Sequence, residues 1–308
     1  MAGYGILLSR NPADVEFART ICAANGMELY HAQDTRGTRK MLYPETGIFW
    51  DLDATDPPQI ALGQLLLEHL NPNRIFGIGE MALNKYTNVL KMRAVGHFFR
   101  RGDPTGVEWA SQLVGSSLSK ETFPRAPAGA KKLSIARSKD RGLAVTAVSN
   151  VLAQKSFPPR LAQTVAQCVD ELLMNAIFDA PVRSGPEGKR YRLDQNRTLD
   201  FELATNEVVI LEMSSAYNAL AISVTDLFGS LARGSLLSYL AKDYEHTEYR
   251  PREEKGAGLG LYGVLDSGVS LSYFVRRQKF TRATLLVPIC TSIKEFRKSF
   301  QLFGVIEK

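Results

Sequence analysis

Glu171, Asn175 and Asp179 stand four residues apart in the stretch Ala166–Asp179, which reads AQCVDELLMNAIFD. Side chains at that spacing lie along one ridge of an α-helix, so an acid, an amide and a second acid would point the same way. Such a row suits Mg²⁺, which takes oxygen ligands and keeps water or substrate phosphate oxygens in the rest of its shell. The other explanation of the same row is a polar face turned to solvent. Val165, Val169, Leu172, Leu173, Ala176 and Ile177 recur at the spacing of a helix that packs one face on a core. Two later stretches bear on the choice. Ala221–Gly229 (AISVTDLFG) is an apolar strand ending in Asp226 and then Gly229, and Lys255–Leu261 (KGAGLGL) is a glycine-rich turn running into a helix.

In order, Glu-Leu-x-x-Asn-Ala, strand-Asp-x-x-Gly and Gly-x-Gly-Leu-Gly-Leu resemble the N, G1 and G2 boxes of the GHKL ATPase superfamily, over residues 131–290. That superfamily includes gyrase, MutL, the histidine kinases and the anti-sigma-factor serine kinases. The middle box departs from the usual Asp-x-Gly-x-Gly, with Phe228 and Ser230 where glycines are expected and Gly229 between them. The resemblance implies ATP and Mg²⁺ as cofactors. It makes Glu171 the base that activates the attacking group and Asn175 the Mg²⁺ ligand, and it suggests a contact of Asp179 with the bound cofactor. Asp226 would accept a hydrogen bond from the adenine amino group; a carboxylate only accepts, which favours adenine over guanine. Gly229 accompanies it in the altered box. Gly256, Gly258, Leu259 and Gly260 would bring backbone N–H groups and a helix N-terminus to the phosphates. Between Ser230 and Lys255 lies the stretch that would form the lid, and of its cations Lys255 is the one expected to reach the terminal phosphates.

These groups need elements to hold them. The first hundred residues alternate short apolar runs (5–8, 28–31, 47–51, 74–78, 94–99) with helical patterns such as 12–25 and 58–70. Strands alternating with helices imply a parallel sheet covered on both faces, with functional groups at the carboxyl ends of its strands. The order resembles a response-regulator receiver domain, with Asp51, in Ile48–Asp53, at the phosphoacceptor place. Ser9-Arg10-Asn11 stands where Mg²⁺-binding acids are expected, Gly77–Glu80 where a Ser or Thr is, and Arg100-Arg101 where a lysine is. The reading is therefore a non-phosphorylatable, receiver-like module over residues 1–102, then a helical linker over 103–130. Residues 131–308 form the ATPase-like domain with a C-terminal helix. Its strands are expected at 132–136, 190–193, 198–204, 207–213, 219–224, 269–275 and 283–288, and its helices at 141–154 and 293–300. The fold class is α/β: a doubly wound parallel sheet, then an α/β sandwich on a mixed, mostly antiparallel sheet.

Composition excludes several classes. With 308 residues, 44% of them hydrophobic, the chain can bury two cores. No apolar run approaches the about 18 residues of a membrane span, and Met1–Arg10 turns polar too soon for a signal peptide. The three cysteines, Cys22, Cys168 and Cys290, lie far apart without metal spacing, as expected of reduced residues in the cytoplasm. The net charge of +6 is dispersed, without the aromatic-interleaved basic patch of a nucleic-acid binder. His69, in Glu68–Pro72, faces the wrong context for a kinase phosphoacceptor, because its helix ends at a proline and a strand follows. The expectation is an ATP-binding signalling protein: a Mg²⁺-dependent serine/threonine kinase of anti-sigma-factor type acting on a protein partner, such as an anti-anti-sigma-like regulator. An ATP-gated binding module and an atypical histidine kinase remain as alternatives, and a homodimer is left open.

Overall fold

The structure, a computed structural model, describes residues 3–32, 40–43, 45–54, 71–92, 95–101, 106–119, 121–124, 129–182, 197–245 and 259–308. The chain divides into two compact units, Met1–Arg125 with Ser299–Ile306, and Ala126–Lys298 with Glu307–Lys308. In chain order the first unit holds β1 (Gly3–Leu8), α1 (Pro12–Ala24), β2 (Met27–His31), β3 (Gly47–Asp51), β4 (Ile75–Gly79), α2 (Thr87–Met92), β5 (His97–Arg100) and α3 (Val107–Leu118). The second holds β6 (Lys131–Ile135), α4 (Asp140–Gln154), α5 (Pro159–Met174), β7 (Val209–Ala216), β8 (Ala219–Asp226) and α6 (Arg233–Glu245). It continues with α7 (Leu259–Asp266), β9 (Ser270–Arg276), β10 (Phe280–Pro288) and α8 (Ile293–Lys298). The last strand, β11 (Leu302–Glu307), has its first five residues in the first unit and Glu307 in the second.

In the first unit the strands run β2-β1-β3-β4-β5, every neighbouring pair parallel, and β11 joins β5 antiparallel. The 2-1-3-4-5 order belongs to doubly wound sheets, whose functional groups collect beyond the carboxyl ends of the strands. Strands covered on both faces read as unbroken apolar runs, and Ile6, Leu7, Leu8, Ile48, Phe49, Phe76 and Ile78 are all buried. α1 starts where sequence chemistry says it should. The Asn11 side chain accepts the Ala13 N–H at 3.0 Å and Pro12 fills the first turn. α3 does not behave as the expected 103–130 linker. Trp109, Ala110, Leu113 and Val114 are buried, α3 packs on α1, and it is counted to the first unit.

Among the described residues the strands of the second unit run β9-β10-β8-β7-β6, each neighbouring pair antiparallel. Alternation puts Leu211, Met213, Ile222, Val224, Leu285 and Leu271 on one face. α5 packs on β8 and β10, α4 on α5 and β6, and α7 on α5 and β9. α5 opens on Pro158-Pro159 and turns Leu161, Val165, Val169, Leu172 and Leu173 into the core. The opposite sheet face is polar. Glu212 is paired to Lys132 at 2.8 Å and to Arg282, which also bonds Thr225 Oγ1 at 3.2 Å.

Two expectations fail here for local reasons. Residues 198–204 form no strand; one bridge, Arg137 to Glu202, is all that pairs there. The helix expected at 293–300 stops at Lys298, and the apolar run Leu302–Ile306 becomes β11, because β5 offers it an open edge. The expected strand at 190–193 and helix at 58–70, with His69, lie outside the described residues. Among the described residues no helix is long and apolar enough to cross a membrane.

Candidate functional site

The core side of α5 is regular, but its end is not. After Met174 the chain widens into a π-turn over Asn175–Asp179, closed by the Ala180 N–H donating to Asn175 O at 2.8 Å. Such turns occur often at functional sites. Within this wide turn Asp179 is buried, 6% exposed, and still acts electrostatically on Glu171. There its Oδ1 pairs with Arg197 Nη2 at 3.2 Å. Arg197 is a functional candidate without any sequence signal: it lies outside the boxes, and only folding brings it beside the acids.

Glu171 is half-buried, and desolvation pushes its carboxyl above the ordinary value. Arg197 and Arg141 pull it down, while Asp179 and Asp170 push it up further. A carboxyl raised toward neutrality is a better general base than a fully solvated one. Asn175 Oδ1 is buried and, among the described residues, has no hydrogen-bond partner. A buried amide oxygen left unsatisfied calls for an explanation, and an ion is one. The oxygen that the resemblance assigns to Mg²⁺ is thus available to hold it. Among the described residues no cluster of three His, Cys, Asp or Glu side chains could hold a metal without such help.

Asp226 ends β8, 6% exposed, with Thr281 opposite it on β10. Its Oδ1 accepts the Phe228 N–H at 2.9 Å and the Gly229 N–H at 3.3 Å. Burial nevertheless pushes the carboxyl up to about 6, the two amide donors offsetting only part of the desolvation. Gly229 has φ +58°, and a Cβ there would collide with Arg276 O and approach Lys279 N at 2.8 Å. Its glycine is therefore required by the turn between β9 and β10. Ser230 Oγ donates to Ala180 O at 2.8 Å, which ties the loop after β8 to the end of the π-turn. Folding thus joins the Asn175–Asp179 turn and the Asp226–Ser230 loop, with Glu171 one turn earlier on α5.

Leu259 and Gly260 open α7, as expected of a glycine turn that runs into a helix, and α7 packs against α5. Lys255, Gly256 and Gly258 lie outside the described residues, as does His246. A cleft of about 440 Å³ opens near the other end of β8, among Lys131, Lys155, Met213 and Leu220, and touches none of the residues singled out above.

The first unit gathers its own charges at the carboxyl ends of its strands. Arg101 lies 2.7 Å from Asp14, 2.8 Å from Asp51, 3.1 Å from Asp53 and 3.3 Å from Glu80. Ser9 Oγ donates to Asp14 at 2.6 Å and lies 3.3 Å from Asp51 Oδ2, and Tyr86 OH donates to Asp53 at 2.7 Å. An acid does reach the place where the loop after β1 seemed to lack one: Asp14 comes from the first turn of α1. The Arg101 guanidinium stands among these acids. Bonds to Asp14 and Asp51 raise its pKa despite its burial. With Asp51 held by Arg101, Ser9 and the Asp53 N–H, acetyl phosphate should leave the chain unmodified. Intact-mass measurement checks this, and a gain of one phosphate that Asp51→Asn abolishes would contradict it.

No family model matches the chain, and no curated protein matches it. Among solved structures it is similar to the SiaB-SiaC complex from Pseudomonas aeruginosa. The match has 12% identity and a TM-score of 0.30, over 50% of this chain and 88% of that one. That likeness carries no reading of fold or function.

Proposed function

We propose that the second unit binds ATP with Mg²⁺ and transfers phosphate to a serine or threonine hydroxyl of another protein. The receiver-like first unit then acts as a regulator that is not itself phosphorylated. The observation that carries this reading is the buried Oδ1 of Asn175, without a hydrogen-bond partner among the described residues and one turn from the half-buried Glu171. Asn175 would hold Mg²⁺, and Glu171 would accept the proton of the incoming hydroxyl. Asp226 would orient adenine by accepting a hydrogen from its amino group. The bound Mg²⁺ would supply charge to offset the transferring phosphoryl group. The test is incubation with labelled ATP and Mg²⁺ beside proteins encoded next to this one, with label expected on Ser or Thr. A second reading, an ATP-gated binding module without transfer, is favoured by Gly229, whose glycine serves the protein's own turn rather than a nucleotide.

Asp226→Asn replaces half of the acceptor with a donor and should weaken ATP binding by roughly 1–3 kcal/mol, as calorimetry would measure. The pH dependence has a defined sign. The folded carboxyl sits at about 6, above the ordinary 3.8, so the fold takes up a proton between those values. Its ionisation costs stability that is fully present below pH 3.8 and is lost as pH rises through about 6. Adenine binding, which needs the ionised acceptor, should strengthen over the same window and be flat in Asp226→Asn.

A further inference from the structure

α4 stops at Lys155, and hydrogen bonds fix how it stops. Ser156 takes a left-handed φ of +58° and donates its N–H to Ala153 O at 3.0 Å, while the Phe157 N–H donates to Leu152 O at 3.1 Å. These two bonds close the helix end, and Leu152 and Phe157, the residues they join, are both buried. Nearby, β7 and β8 meet in a two-residue hairpin. Its Tyr217 and Asn218 have φ +47° and +54°, and it sets Ser215 opposite Leu220. β6 brings Lys131 beside Met213. These three pieces bound the cleft of about 440 Å³, and every residue that lines it belongs to the second unit.

Val151, Met213 and Leu220 give the cleft an apolar floor, with Met213 and Leu220 buried. Lys131, Gln154, Lys155 and Ser215 give it a polar rim, and no Asp or Glu lines it. The neighbouring Lys132 is paired with Glu212 on the opposite sheet face. Lys131 and Lys155 have no ion pair among the described residues. The negative end of α4 accounts for a lysine at its C-terminus, but Lys131 stands on a strand, and both ammoniums line one cleft. Small-molecule sites typically occupy about 300–1,000 Å³ and combine an apolar lining with a few placed polar groups. We propose that this cleft binds a small organic anion: one carboxylate or phosphate group, held by the Lys131 and Lys155 ammoniums, on an apolar body that lies against Val151, Met213 and Leu220. Leu220 and Asp226 are six residues apart on β8, roughly 20 Å, so this site is separate from the proposed nucleotide site and does not depend on it.

NMR of the full chain with methyl-labelled methionine tests the site, the Met213 signal being assigned by Met213→Leu. Octanoate or octyl phosphate should shift that signal, and the tighter of the two identifies the head group. Octylammonium, with the same body and the opposite charge, should leave it in place, and inorganic phosphate should bind far more weakly than octyl phosphate. Lys131→Gln combined with Lys155→Gln should weaken the binding about tenfold or more, as loss of charged hydrogen-bond donors does. Ser215→Trp, at an exposed position on the rim, should block the cleft by filling it. The other methionine signals report whether each variant is folded. The assignment is overturned if neither octanoate nor octyl phosphate moves Met213, if octylammonium moves it as strongly, or if the double lysine variant binds like the wild type. Inorganic phosphate binding as tightly as octyl phosphate would overturn the role of the apolar floor.

Discussion

Glu171→Gln should bind ATP and Mg²⁺ nearly as the wild type does and turn over about 10²–10⁴-fold more slowly, the usual contribution of a positioned general base. Glutamine keeps the shape and burial of the side chain but cannot take up the proton. Because burial raises the Glu171 carboxyl, the wild-type rate should climb with pH as that group ionises, with its acid limb above the ordinary carboxylate range; the residual rate of the variant should lack this limb. Asn175→Ala should differ in kind, weakening Mg²⁺-dependent binding and turnover together, because it removes the unsatisfied oxygen rather than the base. Single-turnover assays with labelled ATP, alongside calorimetry, separate the two patterns. If Glu171→Gln works at the wild-type rate, the ATP-gated binding module becomes the better description.

Arg101→Met should be the most destabilising single substitution in the first unit, by roughly 3–5 kcal/mol, the cost of leaving a buried charge without its partner. The Arg101 side chain is 10% exposed and Asp14 is 1% exposed, so water cannot replace the lost guanidinium. The acids then repel one another across the ends of β1, β3 and β4. Adding Asp14→Asn to Arg101→Met should recover part of the loss, since it removes the most buried of the stranded charges. Urea denaturation followed by near-ultraviolet circular dichroism checks both variants. A single Arg101→Met variant as stable as the wild type would mean that the cluster is solvated and weak.

The parallel strands of the first unit were legible because strands covered on both faces are continuous apolar runs, and Ile48–Trp50 or Phe76–Ile78 has no other good reading. The Arg101 cluster was not legible. Asp14 enters from a helix rather than from the loop after β1, and Arg101 reaches it across 87 positions of sequence. In the second unit, helix α5 and strand β8 follow from periodicity, so Glu171 and Asp226 fall where spacing puts them. Arg197 gave no signal, because its partner Asp179 is brought to it by a turn that no helical repeat describes. β11 was hidden for a different reason: six residues near the chain end become a strand only when β5 supplies the partner edge.

The wide turn at Asn175–Asp179 also governs which changes of length this region can absorb. Each residue of an α-helix advances the chain by about 100°, and closing a turn over five residues rotates Ala180 and its successors out of step with α5. Removing one residue between 175 and 179 would let the helix run on regularly. The same deletion would swing the Ala180 carbonyl away from Ser230 and untie the loop after β8. The irregularity therefore works as a phase setting, with α5 timed to the core on one side and to the Asp226 loop on the other.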